Sequence, residues 1–222
     1  MDSAHEGDVA DGRGGVRSLE VRWINQGPVP AVLIDHFGPF PIPIEHRADR
    51  YLVDPGTPEL GVKIRDGIEL DLKAYRGSPG QLNVEGGEGT LEGWEKLTFP
   101  MGEVAPEPDD DGWVMLSKTR RRRTFELTPA GLVERMVAEE VDPGCTVELT
   151  EVADGDGEVW WTLAFEATGS PAELEGCLRA CVALLLDRPL PDGIALPPET
   201  SMSYTRWLDR SRSSRTRLGG GR

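Results

Sequence analysis

The sequence has 222 residues, of which 38% are hydrophobic, and its formal net charge is −15 at pH 7. This length fits one domain with tails, and no apolar run approaches the roughly 20 residues that span a bilayer. A strongly acidic chain is also a poor general binder of nucleic acid, so we expect neither a membrane nor a nucleic acid as partner. Three cysteines without a pairing pattern are typical of a reducing compartment, and we therefore expect a cytoplasmic protein.

Alternation of apolar and polar residues with period two predicts β-strands along most of the chain. The clearest strands are 18–23, 68–73, 146–150 and 160–166. Shorter strands are predicted at 51–53, 61–65, 94–99, 113–119 and 121–128. Turn residues separate them, for example in the Arg-Gly-Ser-Pro-Gly segment 76–80. Two helices are predicted, at 28–36 and at 170–186, and a capping box of Ser170 and Glu173 begins the second.

The flanks of this strand-rich region differ from it in composition. Residues 1–15 are acidic and rich in glycine, which predicts a disordered leader. Residues 201–222 are rich in arginine, serine and glycine, with six arginines in the last seventeen positions, which predicts a disordered tail. Residues 102–112 are predicted to form a loop. The expected organisation is therefore one domain over 16–200 between two tails.

Many short strands joined by tight turns are typical of an antiparallel sandwich or barrel. The polar faces carry ionisable side chains of both signs on strand after strand. One interpretation is that these faces point to water, as in most amphipathic strands. However, the apolar faces hold Trp23, Trp161 and Phe165, which need a cover that the helices can supply. We therefore predict a mainly β (α+β) fold, a closed antiparallel β-barrel with a charged lumen and a few flanking helices.

Basic side chains form ladders on three of these strands, because residues two apart point to the same face. Converging arginines and lysines suit phosphate oxygens, which guanidinium groups bind in a bidentate manner. For segment 118–123, a charge run exposed to water is the alternative. The candidate substrate-binding residues are Arg22, Lys63, Arg65, Lys73, Lys118, Arg120 and Arg122.

Carboxylates are predicted on the first and the last strands, which can be neighbours in an antiparallel barrel. Glu20 and Glu166 are the candidate catalytic residues, and with Glu148 they are the candidate metal ligands. Carboxylates beside a bound phosphate are a normal site for Mg²⁺ or Mn²⁺. Ion pairing with arginine or lysine in the lumen is the alternative role.

In this order the motifs resemble those of the CYTH, or triphosphate tunnel metalloenzyme, superfamily, over roughly Arg17 to Asp187. The opening stretch Ser18-Leu-Glu20-Val-Arg22 is similar to the family's E-x-E-x-K, with the first glutamate lost and arginine in place of lysine. The family's late E-x-E is Ala164-x-Glu166 here. The resemblance implies a tunnel in which basic residues hold phosphates and glutamates hold a divalent metal. Because both acidic pairs have lost a member, we expect phosphate binding to be better preserved than the metal site.

Three functions follow from this interpretation. The first is metal-assisted hydrolysis of a phosphoanhydride, a tri- or diphosphate, bound in the basic tunnel. The second is a lyase or cyclase that expels diphosphate from an organic substrate. The third is a module that binds a phosphate ligand without turnover. All three imply a phosphate-bearing small molecule as partner, and all leave the oligomeric state open.

Overall fold

The computed structural model describes residues 15–40, 43–53, 56–101, 112–136 and 141–219, with side chains described up to residue 212. In chain order the elements are β1 (Val16–Gln26), α1 (Ala31–Phe37), β2 (Glu45–Leu52), β3 (Leu60–Arg65), β4 (Glu69–Val84), β5 (Gly87–Pro100), β6 (Trp113–Thr128), β7 (Gly131–Arg135), β8 (Gly144–Asp154), β9 (Val159–Thr168), α2 (Leu174–Leu185) and α3 (Tyr204–Gly219). No helix in these segments is long and apolar enough to cross a membrane.

Eight of the strands form a closed antiparallel barrel, in the order β2-β3-β4-β5-β1-β9-β8-β6. Pairing of β2 with β6 closes the circle, from Glu45 opposite Arg120 to Leu52 opposite Trp113. The short strand β7 pairs with β6 alone and extends its end as a hairpin. This architecture confirms the predicted fold. A barrel of eight strands encloses just enough space for side chains or for one small ligand.

Several strands are longer than the sequence pattern predicted. The segments 113–119 and 121–128 are a single strand, β6, and β2 begins six residues before the predicted strand at 51–53. The predicted turn at 76–80 is wrong, because β4 continues through it with two shifts of register against β5. Gly77 and Gly80 have positive φ angles of 109° and 139° at these bulges, which glycine adopts without strain. The leader 1–14 and the loop residues 102–111 lie outside the described residues.

A hydrophobic core lies outside the barrel, between the outward faces of three neighbouring strands and two helices. Val21 on β1, Leu149 on β8 and Phe165 on β9 are fully buried there. Leu178 of α2 and Leu33 of α1 cover them. The helices therefore supply the cover that the apolar faces were predicted to need, and they leave the other faces of these strands to line the lumen.

The predicted capping box is present in altered form, because α2 begins at Leu174 and not directly after Ser170. The Glu173 carboxylate accepts hydrogen bonds from the backbone N–H and the hydroxyl of Ser170, at 3.2 and 2.5 Å. The glutamate thus still caps the entry turn, and a short turn separates this cap from the helix.

The final helix closes one end of the barrel, where the sequence composition predicted a disordered tail from residue 201. Tyr204, Trp207 and Leu208 of α3 are buried against a group of apolar side chains inside the lumen. That group, called the apolar end below, consists of Ile24, Tyr51, Leu116 and Val152. Positions 204, 207 and 208 share one helical face, and burial of that face stabilises the helix despite the arginines and serines around it. Packing against the barrel therefore continues into the first part of α3.

Candidate functional site

A cavity of about 410 Å³ occupies the lumen of the barrel. Its described lining holds nine lysines and arginines and five acidic residues. The cations are Arg22, Arg47, Lys63, Arg65, Lys73, Lys96, Lys118, Arg120 and Arg122. The acids are Glu20, Glu45, Asp71, Glu148 and Glu166. All ten residues that the sequence predicted as site residues line this cavity, although their roles in binding and catalysis remain predictions.

Strand periodicity decides which charges enter the lumen, and the basic run of β6 is the clearest case. Lys118, Arg120 and Arg122 line the cavity. Arg123 points away, with its guanidinium bound to the Glu134 carboxylate at 2.7 Å on the hairpin strand β7. The run at 118–123 is therefore divided between the two faces of one strand and is not simply a segment exposed to water.

Glu20 and Glu166 stand directly opposite each other on the paired strands β1 and β9. The Lys73 ammonium lies between them, 2.7 Å from Glu20 Oε2 and 3.0 Å from Glu166 Oε1. Arg22 Nε donates to the other Glu20 oxygen at 2.7 Å. Burial disfavours both ionised carboxylates, but Lys73, together with Arg22 at Glu20 and Lys96 at Glu166, outweighs burial and holds the pKa of each below its ordinary value. The same two carboxylates raise the pKa of Lys73 against the effect of burial.

Glu148 belongs to a different set of contacts. Its carboxylate accepts hydrogen bonds from Arg120 Nε at 2.8 Å, from the Arg120 Nη2 atom, and from the Thr150 hydroxyl at 2.9 Å. Arg22 Nη1 approaches it at 3.4 Å. Burial opposes ionisation of Glu148, yet Arg120 and Arg22 hold its pKa well below the ordinary value.

These contacts test the predicted metal site. Among the described residues, no three histidine, cysteine, aspartate or glutamate side chains come close enough to hold one ion. Glu148 is held by two arginines, and a lysine already bridges Glu20 and Glu166. The three predicted ligands therefore do not fit a shared Mg²⁺ or Mn²⁺ ion in this arrangement.

A second charge cluster, which the sequence analysis missed, surrounds Asp49 on β2. The Asp49 carboxylate has no exposed surface and accepts hydrogen bonds from Lys118 Nζ at 2.8 Å and Arg47 Nη2 at 3.1 Å. Lys63 Nζ lies 3.6 Å away. Burial would raise the pKa of Asp49, but these cations depress it strongly. Burial is also the main reason that the pKa of Lys63 falls to about 8.

The first six residues of β2 were missed because the strand has no apolar face. Its inward residues are Glu45, Arg47, Asp49 and Tyr51, and its outward residues include His46 and Arg50. A search for period two in charge, without regard to hydrophobicity, would have found the first three of them.

The two halves of the cavity differ in exposure. The deep half, next to the apolar end, includes Arg47, Tyr51, Lys118 and Tyr204 of the lining, with the Asp49 carboxylate buried behind them. The exposed half consists of Glu45, Arg65, Lys73, Arg122 and Glu166. The Lys118 side chain is 1% exposed, whereas the side chains of Arg65 and Glu166 are 27% and 28% exposed.

The exposed half also holds hydrogen-bond donors without a protein acceptor. The buried Nε atoms of Arg65 and Arg122 have no hydrogen-bond partner within the described part of the chain, nor does Nε of Arg47 at the boundary of the deep half. The indole N–H of Trp94, which also lines the cavity, likewise has no hydrogen-bond partner among the described residues. Buried donors are almost always satisfied. Because these four N–H groups are buried, a ligand would reach them only if the side chains around them moved.

Tyr204 of α3 forms the floor of the deep half. The Lys118 ammonium lies 3.9 Å from its ring centroid and the Arg22 guanidinium carbon 4.5 Å away, both within the range of cation–π attraction. Burial raises the pKa of Tyr204 to about 12, so its hydroxyl stays protonated at neutral pH. Arg206, two residues on, pairs with the buried Glu92 carboxylate at 3.0 Å.

Fold and site together define the class of this protein as a closed antiparallel β-barrel with a cation-lined internal cavity. No protein-family model matches the chain, and no curated protein matches its sequence. Among solved structures, it is similar to the RNA triphosphatase Pct1 of S. pombe, with 11% sequence identity and a TM-score of 0.32 over 92% of this chain and 82% of that one. A likeness this distant does not bear on function, which must be argued from the lumen.

Proposed function

We propose that the lumen binds the phosphoanhydride group of a tri- or diphosphate-bearing small molecule. The observation that carries this proposal is the charge of the cavity. Nine lysines and arginines line it against five carboxylates, and the buried Asp49 that pairs with three of them adds a sixth. Positive side chains are therefore in excess there, although the whole chain carries a net charge of −15. Such a local reversal of sign favours an anionic ligand.

The arginine guanidinium groups of the lining indicate which kind of anion fits the cavity. Arg65 and Arg122 belong to different strands of the barrel wall and both line the cavity, so an anion with several oxygens can contact both guanidinium groups. Guanidinium groups bind phosphate oxygens with charge-assisted hydrogen bonds, the strongest type available to a protein. A volume of about 410 Å³ lies within the range of about 300–1,000 Å³ that is usual for small-molecule sites.

Hydrolysis of the bound phosphoanhydride is the second candidate function, and the facing pair of Glu20 and Glu166 favours it. Two carboxylates beside a phosphate site are the groups that such a reaction would use. Both have a lowered pKa, however, and an ionised carboxylate of low pKa is a weak general base at neutral pH. Binding is therefore better supported than turnover.

The test is calorimetric titration with tripolyphosphate in the presence of EDTA, on wild type and on two variants from adjacent positions. Arg122→Ala removes a cation of the cavity, whereas Arg121→Ala removes the same charge from the same strand outside the lining. We expect Arg122→Ala to bind about 10- to 100-fold more weakly, because a hydrogen bond to a charged group contributes about 1.5–3 kcal/mol.

Arg121→Ala should keep the wild-type affinity to within about twofold, because charges at the protein surface are screened by salt. Equal losses in both variants would mean that general attraction, not the lumen, binds the anion. Phosphate release from tripolyphosphate, measured on the same samples, separates a hydrolase from a binding module.

A further inference from the structure

We propose that the ammonium group of Lys73 is a built-in cation that takes the place of a divalent metal between Glu20 and Glu166. The pocket then binds its phosphate ligand without Mg²⁺ or Mn²⁺. This inference rests on the proposed function for the identity of the ligand, but not for the role of the lysine.

The ammonium charge of Lys73 lies between the two carboxylates. Glu20 and Glu166 face each other across the β1–β9 pairing, and Lys73 extends from β4 to within 2.7 and 3.0 Å of them. An ion that bridged the two carboxylates would occupy the same space. The ring of Trp94 has its centroid 5.5 Å from the ammonium and adds a cation–π contact on a further side.

Side chains of the protein already occupy the carboxylate oxygens of Glu20. Glu20 uses Oε1 for Arg22 and Oε2 for Lys73, so both of its oxygens already accept a charge-assisted hydrogen bond. A metal ion would have to displace the lysine and then remain close to the Arg22 guanidinium. Repulsion between a divalent ion and these two fixed cations opposes its binding.

A divalent ion between Glu20 and Glu166 would lack a third carboxylate ligand among the described residues. Glu148 would complete a carboxylate set, but Arg120 and Thr150 hold it elsewhere. Mg²⁺ and Mn²⁺ bind weakly to a single carboxylate pair unless a phosphate or further oxygens complete the shell. The chain thus neutralises its carboxylate pair with a side chain of its own.

The test measures binding of Mn²⁺ alone, by the loss of its free-ion electron paramagnetic resonance signal. Lys73→Met removes the charge but keeps a side chain of similar length. Lys96→Met is the matched control, because it removes a lysine from the same cavity and leaves the Glu20–Lys73–Glu166 bridge in place. We expect Lys73→Met to bind one Mn²⁺ ion at least about tenfold more tightly than wild type and Lys96→Met, because removing the lysine frees two facing carboxyl groups whose charge then needs a cation.

Two outcomes overturn the inference. One is Mn²⁺ binding by wild type that is as tight as that of Lys73→Met and is lost in Glu166→Gln. The other is a folded Lys73→Met protein that binds Mn²⁺ no better than wild type. Should Lys73→Met fail to fold, the comparison of wild type with Glu166→Gln decides, because only a competing metal site would make them differ.

Tripolyphosphate titrations of wild type separate this inference from the proposed function. Binding in EDTA supports both. Binding that appears only with Mn²⁺ supports the phosphate pocket and overturns the role of Lys73. No binding with or without metal contradicts the proposed function, and the Mn²⁺ titration, which contains no phosphate, still tests the lysine.

Discussion

The deep and exposed halves of the lumen hold similar residue types but use them differently. In the deep half, Asp49 is fully buried and several cations converge on its Oδ2 atom. In the exposed half, Arg65 and Arg122 each pair with a carboxylate and still have an unused Nε–H. The comparison shows that a basic residue in a tunnel is not by itself a ligand contact. We interpret the deep charges as structural and the exposed cations as the binding surface.

The largest expected effect comes from breaking the deep cluster. Asp49→Ala leaves Lys118, Lys63 and Arg47 buried without their shared carboxylate. Removing one partner of a buried ion pair costs about 3–5 kcal/mol. We expect a loss of this size in the free energy of unfolding, measured by urea denaturation.

The control for this prediction is Glu134→Ala, which removes the partly exposed partner of Arg123 outside the barrel. An exposed pair contributes about 0–1 kcal/mol, so the urea midpoint should change little. Similar losses in the two variants would contradict a structural role that is specific to the deep half.

Removing part of the cover of the apolar end should lower the free energy of unfolding less than breaking the deep cluster does. It also tests whether the deep and exposed halves act separately. Trp207→Ala removes a side chain that is 7% exposed and packs between α3 and the barrel. Truncation of a buried tryptophan costs about 3–5 kcal/mol, and partial exposure places this site at the lower end, at about 3 kcal/mol. Urea denaturation measures the loss. Tripolyphosphate affinity should stay near that of wild type at 15 °C, where the variant remains folded, because the exposed half is intact. A large loss of affinity in the folded variant would show that the floor of the cavity takes part in binding.

The smallest effect is a pH dependence that involves Lys63, which connects the halves through Asp49 at 3.6 Å and Asp71 at 3.4 Å. Its pKa of about 8 lies below the ordinary lysine value, mainly because of burial. Lys63 is therefore charged at pH 7 and mostly neutral at pH 9, so tripolyphosphate affinity should fall a few-fold across this range.

Lys63→Met supplies the baseline for that measurement, because ionisation of tripolyphosphate affects wild type and variant alike. The affinity ratio of wild type to Lys63→Met should shrink as the pH rises from 7 to 9. The free energy of unfolding depends on pH in the opposite direction from the ligand affinity. An unfolded lysine retains its proton up to a higher pH, so the cost of burying Lys63 falls and stability rises as the pH increases through 8. A constant ratio would place Lys63 outside the binding surface.

Much of this arrangement was predictable because strand periodicity fixes which side chains share a face. Once β1, β3, β4, β6, β8 and β9 were assigned, ten inward charges followed, and all of them line one cavity. The strand assignments did not predict which of these charged side chains pair with each other. Glu20 is neutralised by Lys73 as well as by Arg22. This pairing depends on the distance between β4 and β1 around the barrel, which no local sequence pattern encodes.

Two of the mispredicted elements had misleading compositions. In the first six residues of β2 five are polar, so the usual alternation of hydrophobicity is absent. In α3 three buried residues, Tyr204, Trp207 and Leu208, stand among arginines and serines that are typical of disorder. Their stabilisation is tertiary, because it depends on a hydrophobic surface at the end of the barrel that exists only after eight strands have closed.

The position of α3 in the chain also has a consequence for synthesis. Every barrel strand precedes it, so the ribosome releases all eight strands before the helix that covers the apolar end. Until then, Tyr51, Leu116 and Val152 face water in a nascent barrel that is open where the finished protein is closed. A chain stalled just before Tyr204 should therefore expose this surface and be recognised by chaperones that bind apolar side chains, and release of about twenty more residues would hide it.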